Sequence, residues 1–78
     1  MKPENQSPRF AVCINNSTYP DDLKVRTVYQ VLRDDSAARS NFLRVIDETG
    51  EDYLYPAEYF VFVDVPPDAA KALLATAS

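Results

Sequence analysis

Taken as apolar and polar positions, the chain falls into short β-type segments separated by turn formers. In "RFAVCI", residues 9–14, Phe10, Val12 and Ile14 alternate with Ala11 and Cys13, which predicts a strand partly covered on both faces. "NNSTYPDD" predicts a long loop, because Asn, Ser and Asp side chains bond nearby backbone groups and Pro20 fixes its own φ. "LKV" and "VYQVLRD" return to β-branched and aromatic residues, and "DDSAARS" breaks the pattern again. "NFLRVID" and "DYLYP" flank "ETGE", where Gly50, the only glycine, can take a positive φ without a Cβ clash; this predicts a hairpin. On its first strand Phe42, Arg44 and Ile46 share one face and Leu43 and Val45 the other, while Tyr53 and Tyr55 oppose Leu54 beyond the turn. Pro56 has no N–H and ends that ladder, and "FVFVDV" supplies a last strand before Pro66 and Pro67.

Short strands with no long helix and no repeat predict an all-β fold, a five-stranded antiparallel barrel with Val12, Leu23, Val25, Val31, Val45, Leu54 and Phe60 directed inward. The ending "PPDAAKALLATAS" changes period. Asp68 favours a helix N-terminus, and Ala69, Leu73 and Ala77 recur every four residues, which predicts a short C-terminal helix lying on the barrel or on another chain. The expected organisation is a disordered tail over residues 1–8, the barrel over 9–65 and the helix over 66–78.

Composition narrows the function classes. At 78 residues the chain forms one domain that buries only about 60% of its unfolded surface, leaving little volume for an enclosed cleft. A 46% apolar and 26% charged content is that of a folded soluble protein. The net charge of -4, with eight basic residues spread along the chain, argues against nucleic acid as a partner. "MKPENQSPRF" has no apolar run after Lys2, and no later run approaches the ~20 residues of a membrane span. The lone Cys13 cannot form an internal disulfide, so the setting expected is a reducing cytoplasm, with no membrane partner.

The order of segments resembles a Src-homology-3 domain, a small barrel that binds proline-rich peptides. That family opens with "ALYDY" and runs through a long acidic loop to "DDLSF"; here Ala11 holds the first position and "DDLKV", residues 21–25, follows at the same separation. The family continues with a "WW" strand, a hairpin glycine and "GYIPSNYV"; here "FL", Gly50 and "YLYPAEYF" keep that order. The resemblance implies that Pro56 and Tyr59 help form a peptide groove and that Phe42 stands at the first tryptophan position. Cys13 and Asn15 occupy two of its tyrosine positions, Tyr53 replaces a glycine, no glycine lies between Val25 and Val28, and tryptophan is absent, so most of the flat walls for proline rings are missing. "DETGEDYLYP" also resembles motifs of short, stand-alone bacterial and phage proteins without an assigned function.

Catalytic constellations are scarce. With no His and one Cys, neither a Cys–His pair nor a structural zinc site can be built within the chain, and one glycine cannot make a phosphate-cradling loop. The acid pairs Asp21–Asp22 and Asp34–Asp35 and the group Asp47, Glu48, Glu51, Asp52 lack the spacing of a calcium loop. The expectation is a non-enzyme with no cofactor and no metal. Two functions fit. One is a peptide- or protein-binding module whose groove is lined by Tyr19, Phe42, Pro56 and Tyr59, with Asp21 and Asp22 as an acidic border. The other is a small structural protein forming a homodimer or larger homo-oligomer through its helix or a barrel edge.

Overall fold

Every strand carries a face of alternate residues that water disfavours, and the sheet in the computed structural model, which describes residues 9–76, follows from pairing those faces. The tail expected over residues 1–8 lies outside the described residues. Strands β1 (Arg9–Cys13), β2 (Val28–Leu32), β3 (Phe42–Ile46), β4 (Asp52–Pro56) and β5 (Phe60–Val63) form one antiparallel sheet in the order β4-β3-β2-β1-β5. A short helix α1 (Asp35–Arg39) links β2 to β3, a 3-10 turn (Ala57–Tyr59) links β4 to β5, and helix α2 (Pro67–Thr76) follows β5. The five antiparallel strands and the short C-terminal helix match the sequence expectation. No ladder joins β4 to β5, so the sheet is open, not a closed barrel.

The core lies on one face. Ala11 and Cys13 of β1, Tyr29 and Val31 of β2, Val45 of β3 and Tyr55 of β4 are buried there together with Tyr59, Phe60 and Leu23, and Leu43 and Tyr19 pack against them. Register explains the set, since Ala11 pairs with Tyr29, Val31 with Val45 and Leu43 with Tyr55. Leu23, Val31, Val45 and Phe60 are core residues, as the sequence predicts; Val12, Val25 and Leu54 are not. Leu54 pairs with Arg44 on the outer face and is exposed, and Val12 pairs with Val28 on that same face. Residues 23–25 form no strand, so Val25 turns outward while Leu23 closes the core. Burying a side chain such as Leu23 or Val45 contributes about 1.5–3 kcal/mol.

Helix α1 interrupts what the sequence pattern presents as a plain break. Asp34 caps it, accepting the Ala37 amide at 2.9 Å, and Ala37 is buried beneath. Asp34 also accepts Nε of Arg44 at 2.8 Å, and Arg44 reaches Asp52 at 3.0 Å, which fastens α1 to the β3–β4 hairpin. The Ala37 amide first, then Arg44, holds the Asp34 carboxyl below its ordinary value. Five residues are too few to show a helical period in sequence. Helix α2 begins on Pro67, whose missing N–H costs nothing in the first turn, and the Ala70 amide donates to the Pro66 carbonyl at 2.9 Å.

Candidate functional site

The turn between β3 and β4 is built around Asp47. Gly50 takes φ +86° there and donates its amide to the Asp47 carbonyl at 2.9 Å, a backbone state that an L side chain would strain. The Asp47 carboxylate is buried and satisfied: one oxygen accepts the Thr49 amide at 2.9 Å and the Thr49 hydroxyl at 2.6 Å, and the other accepts the Tyr55 hydroxyl at 2.5 Å. The next residue ties the turn to the long β1–β2 loop. The Glu48 amide donates to the Asp22 carbonyl at 3.0 Å, and the Tyr29 hydroxyl donates to the Glu48 carboxylate at 2.6 Å while accepting the Lys24 amide at 2.8 Å. Burial and these carboxylates push both phenols, Tyr29 and Tyr55, well above the ordinary tyrosine value.

This bracing sets an acidic and aromatic rim beside the core. Tyr19, half-buried, meets Tyr55 edge-on at 5.0 Å between ring centres. One step along the same face of β4, Tyr53 is 52% exposed and points its hydroxyl at Glu51, 3.3 Å away. The negative field of Glu51, then the hydrogen bond to it, with lesser effects from Asp47 and Asp22, raises the Tyr53 phenol above its ordinary value. Among the described residues, Asp21, Asp22, Glu48 and Glu51 have no ion-pair partner, whereas Asp34, Asp35 and Asp52 each bind an arginine. The rim is thus a patch of unneutralised charge around an accessible ring.

The structure divides the six residues expected to line a groove. Tyr19, Asp21 and Asp22 lie on the β1–β2 loop beside the rim. Tyr59, expected on the groove face, is buried: its ring lies 6.3 Å from that of Tyr19 and its hydroxyl shares a 2.7 Å hydrogen bond with Thr18. The 3-10 turn is the reason, because three residues per turn break the strand alternation and direct both Tyr59 and Phe60 inward. Phe42 and Pro56 are cross-strand partners on the outer face, at the end of the hairpin far from Gly50, where they border a shallow depression of about 380 Å³ with Asn41 and Glu58. Glu48, Glu51 and Tyr53 are the rim residues that sequence reading misses. The sequence expectation sets Leu54 inward and so turns Tyr53 and Tyr55 outward; in the structure Tyr55 is in the core, Leu54 is exposed, and Tyr53 lies on the core face where that face runs out into solvent at the hairpin's end.

Cys13 is buried, its thiol lies 3.4 Å from the Asn15 carbonyl, and burial pushes it up, away from thiolate. Among the described residues no cluster of acids and cysteine is arranged to hold a metal ion, and no helix is long and apolar enough to cross a membrane. No protein-family model, curated protein or solved structure matches the chain.

Proposed function

We propose that this protein is a non-catalytic recognition module, Src-homology-3-like in layout, that binds a basic peptide segment of another cytoplasmic protein on the rim formed by Tyr19, Asp21, Asp22, Glu48, Glu51 and Tyr53. The observation that carries the reading is the half-exposed Tyr53 ring set among carboxylates without cations of their own. An arginine or lysine stem can lie on that ring while its charge meets Glu51 or Asp22, a combination of cation–π contact and charge-assisted hydrogen bonding. Rigidity supports it as well, since the Tyr55–Asp47 and Tyr29–Glu48 bonds hold the rim in place before a ligand arrives. The long loop between β1 and β2, the hairpin glycine and the strand order support the layout.

The test is a heteronuclear NMR titration of the full chain with a synthetic peptide rich in arginine and proline. Shifts concentrated at residues 19–22 and 48–53 support the rim. Shifts centred on Phe42 and Pro56 would move recognition to the outer face, and no shifts at all would remove the reading.

A further inference from the structure

We propose that the free edge of β5 is a self-association site, where a second copy of this chain adds its own β5 in antiparallel register about a two-fold axis through Phe62. The inference is independent of peptide binding, since it uses the opposite edge of the sheet from Tyr53.

The backbone directions fix which groups are free. The Ile14 amide donates to the Tyr59 carbonyl at 2.7 Å, while Cys13 bonds to β2 through both its amide, to Thr27 at 2.9 Å, and its carbonyl, from Arg26 at 2.7 Å. Antiparallel strands alternate between paired and outward residues, so with Val12 opposite Val61 and Phe10 opposite Val63, it is Val61 and Val63 that bond to β1. Phe60 and Phe62 therefore turn their backbone groups to the open edge. The Phe60 amide is taken by the Ala57 carbonyl, which leaves the Phe60 carbonyl, both Phe62 groups and both Asp64 groups. Among the described residues, no backbone group bonds to these from that side.

Most of the free set is self-complementary. A two-fold axis at Phe62 lets each Phe62 amide donate to the other copy's Phe62 carbonyl, and each Asp64 amide donate to the other copy's Phe60 carbonyl; the return bond of that outer pair, from the Phe60 amide to the Asp64 carbonyl, does not form, because the Ala57 carbonyl holds that amide. Side chains agree with this register. The strand Phe60–Val63 contains no charge and no proline, the usual guards of an exposed edge, and Val61 and Phe62 stand 49% and 46% exposed. By contrast the other edge, β4, ends in Pro56 and carries Asp52. Asp64 would fall opposite Phe60 of the second copy, not opposite its own counterpart. The Arg9 guanidinium, 4.5 Å above the Phe62 ring, covers the outer side of the aromatic pair that would form.

Sedimentation equilibrium over a concentration series on the full chain is the first measurement, and a mass rising to twice that of the chain is expected. Phe62→Pro removes an outward amide without touching the β1 ladder, so it should give a monomer with an unchanged fold by circular dichroism. Should that variant not fold, Phe62→Lys and Phe62→Glu decide: each alone places like charges face to face and should be monomeric, and mixing them should restore a dimer. A wild-type monomer at every concentration, or variants that dimerise alone as well as wild type, would overturn the proposal.

Discussion

Tyr55 and Asp47 meet through a 2.5 Å hydrogen bond between two buried groups, and this contact joins the core to the turn that supports the rim. Three donors surround the carboxylate inside the fold, two from Thr49 and one from Tyr55. Tyr55→Phe keeps the ring and removes one donor from a buried carboxyl group. We expect a loss of about 1.5–3 kcal/mol, which for a domain of this size lowers Tm by roughly 6–24 °C. Thermal melting followed by circular dichroism measures it, and an unchanged Tm would show that the bond contributes nothing net.

A second expectation concerns alkaline pH. The phenols of Tyr29 and Tyr55 are raised in the fold by burial and by the carboxylates of Glu48 and Asp47, against an unfolded value of about 10. A group that holds its proton more tightly when folded contributes stability that is fully present below the unfolded value and is lost as pH climbs toward the folded one. Stability should therefore hold up to about pH 10 and fall steeply above it. Tyrosinate absorbance should rise together with unfolding. Ionisation of all the tyrosines near the ordinary value with the fold intact would contradict this.

Much of the fold is legible in the sequence because alternation and turn chemistry agree. The "ETGE" turn at Gly50, the two hairpin strands and the stop at Pro56 all lie where the residues direct them. What is hidden has a physical cause in each case. Tyr29 and Tyr55 carry a core ring and a polar tip, so their burial depends on partners, Glu48 and Asp47, that only folding brings near. Small residues, Ala11 and Cys13, fill the core face of β1 because Tyr29 and Phe60 stand opposite them, while the larger Val12 faces outward. Tyr59 is buried because a 3-10 turn shifts its phase, and α1 escapes notice because its cap, Asp34, is followed by a single turn.

The turn before β2 stores strain. Arg26 has φ +67°, the left-handed region, where an L side chain costs roughly 1–2 kcal/mol. Its amide is held there by the Cys13 carbonyl at 2.7 Å. Asn41, at φ +64°, occupies the same region, which its short polar side chain tolerates better. Arg26→Gly relieves the strain and gives back part of the gain as backbone entropy, so a net stabilisation of about 0.5–1 kcal/mol is expected in denaturant titration. A destabilised glycine variant would mean that the arginine side chain makes a compensating interaction.

Glu51 is exposed, bonds only weakly to the Tyr53 hydroxyl, and contributes to the rim chiefly through its charge. Reversing that charge should leave the fold untouched while weakening the capture of a basic segment. The measurement is the dissociation constant of the arginine- and proline-rich peptide for Glu51→Lys relative to wild type, by isothermal titration calorimetry at low salt. Replacing an attraction by a repulsion at an exposed site is worth about 1 kcal/mol, so affinity should fall about fivefold, and the difference should shrink as salt is added. Equal affinities for the two proteins, with the peptide bound to both, would contradict recognition by this rim.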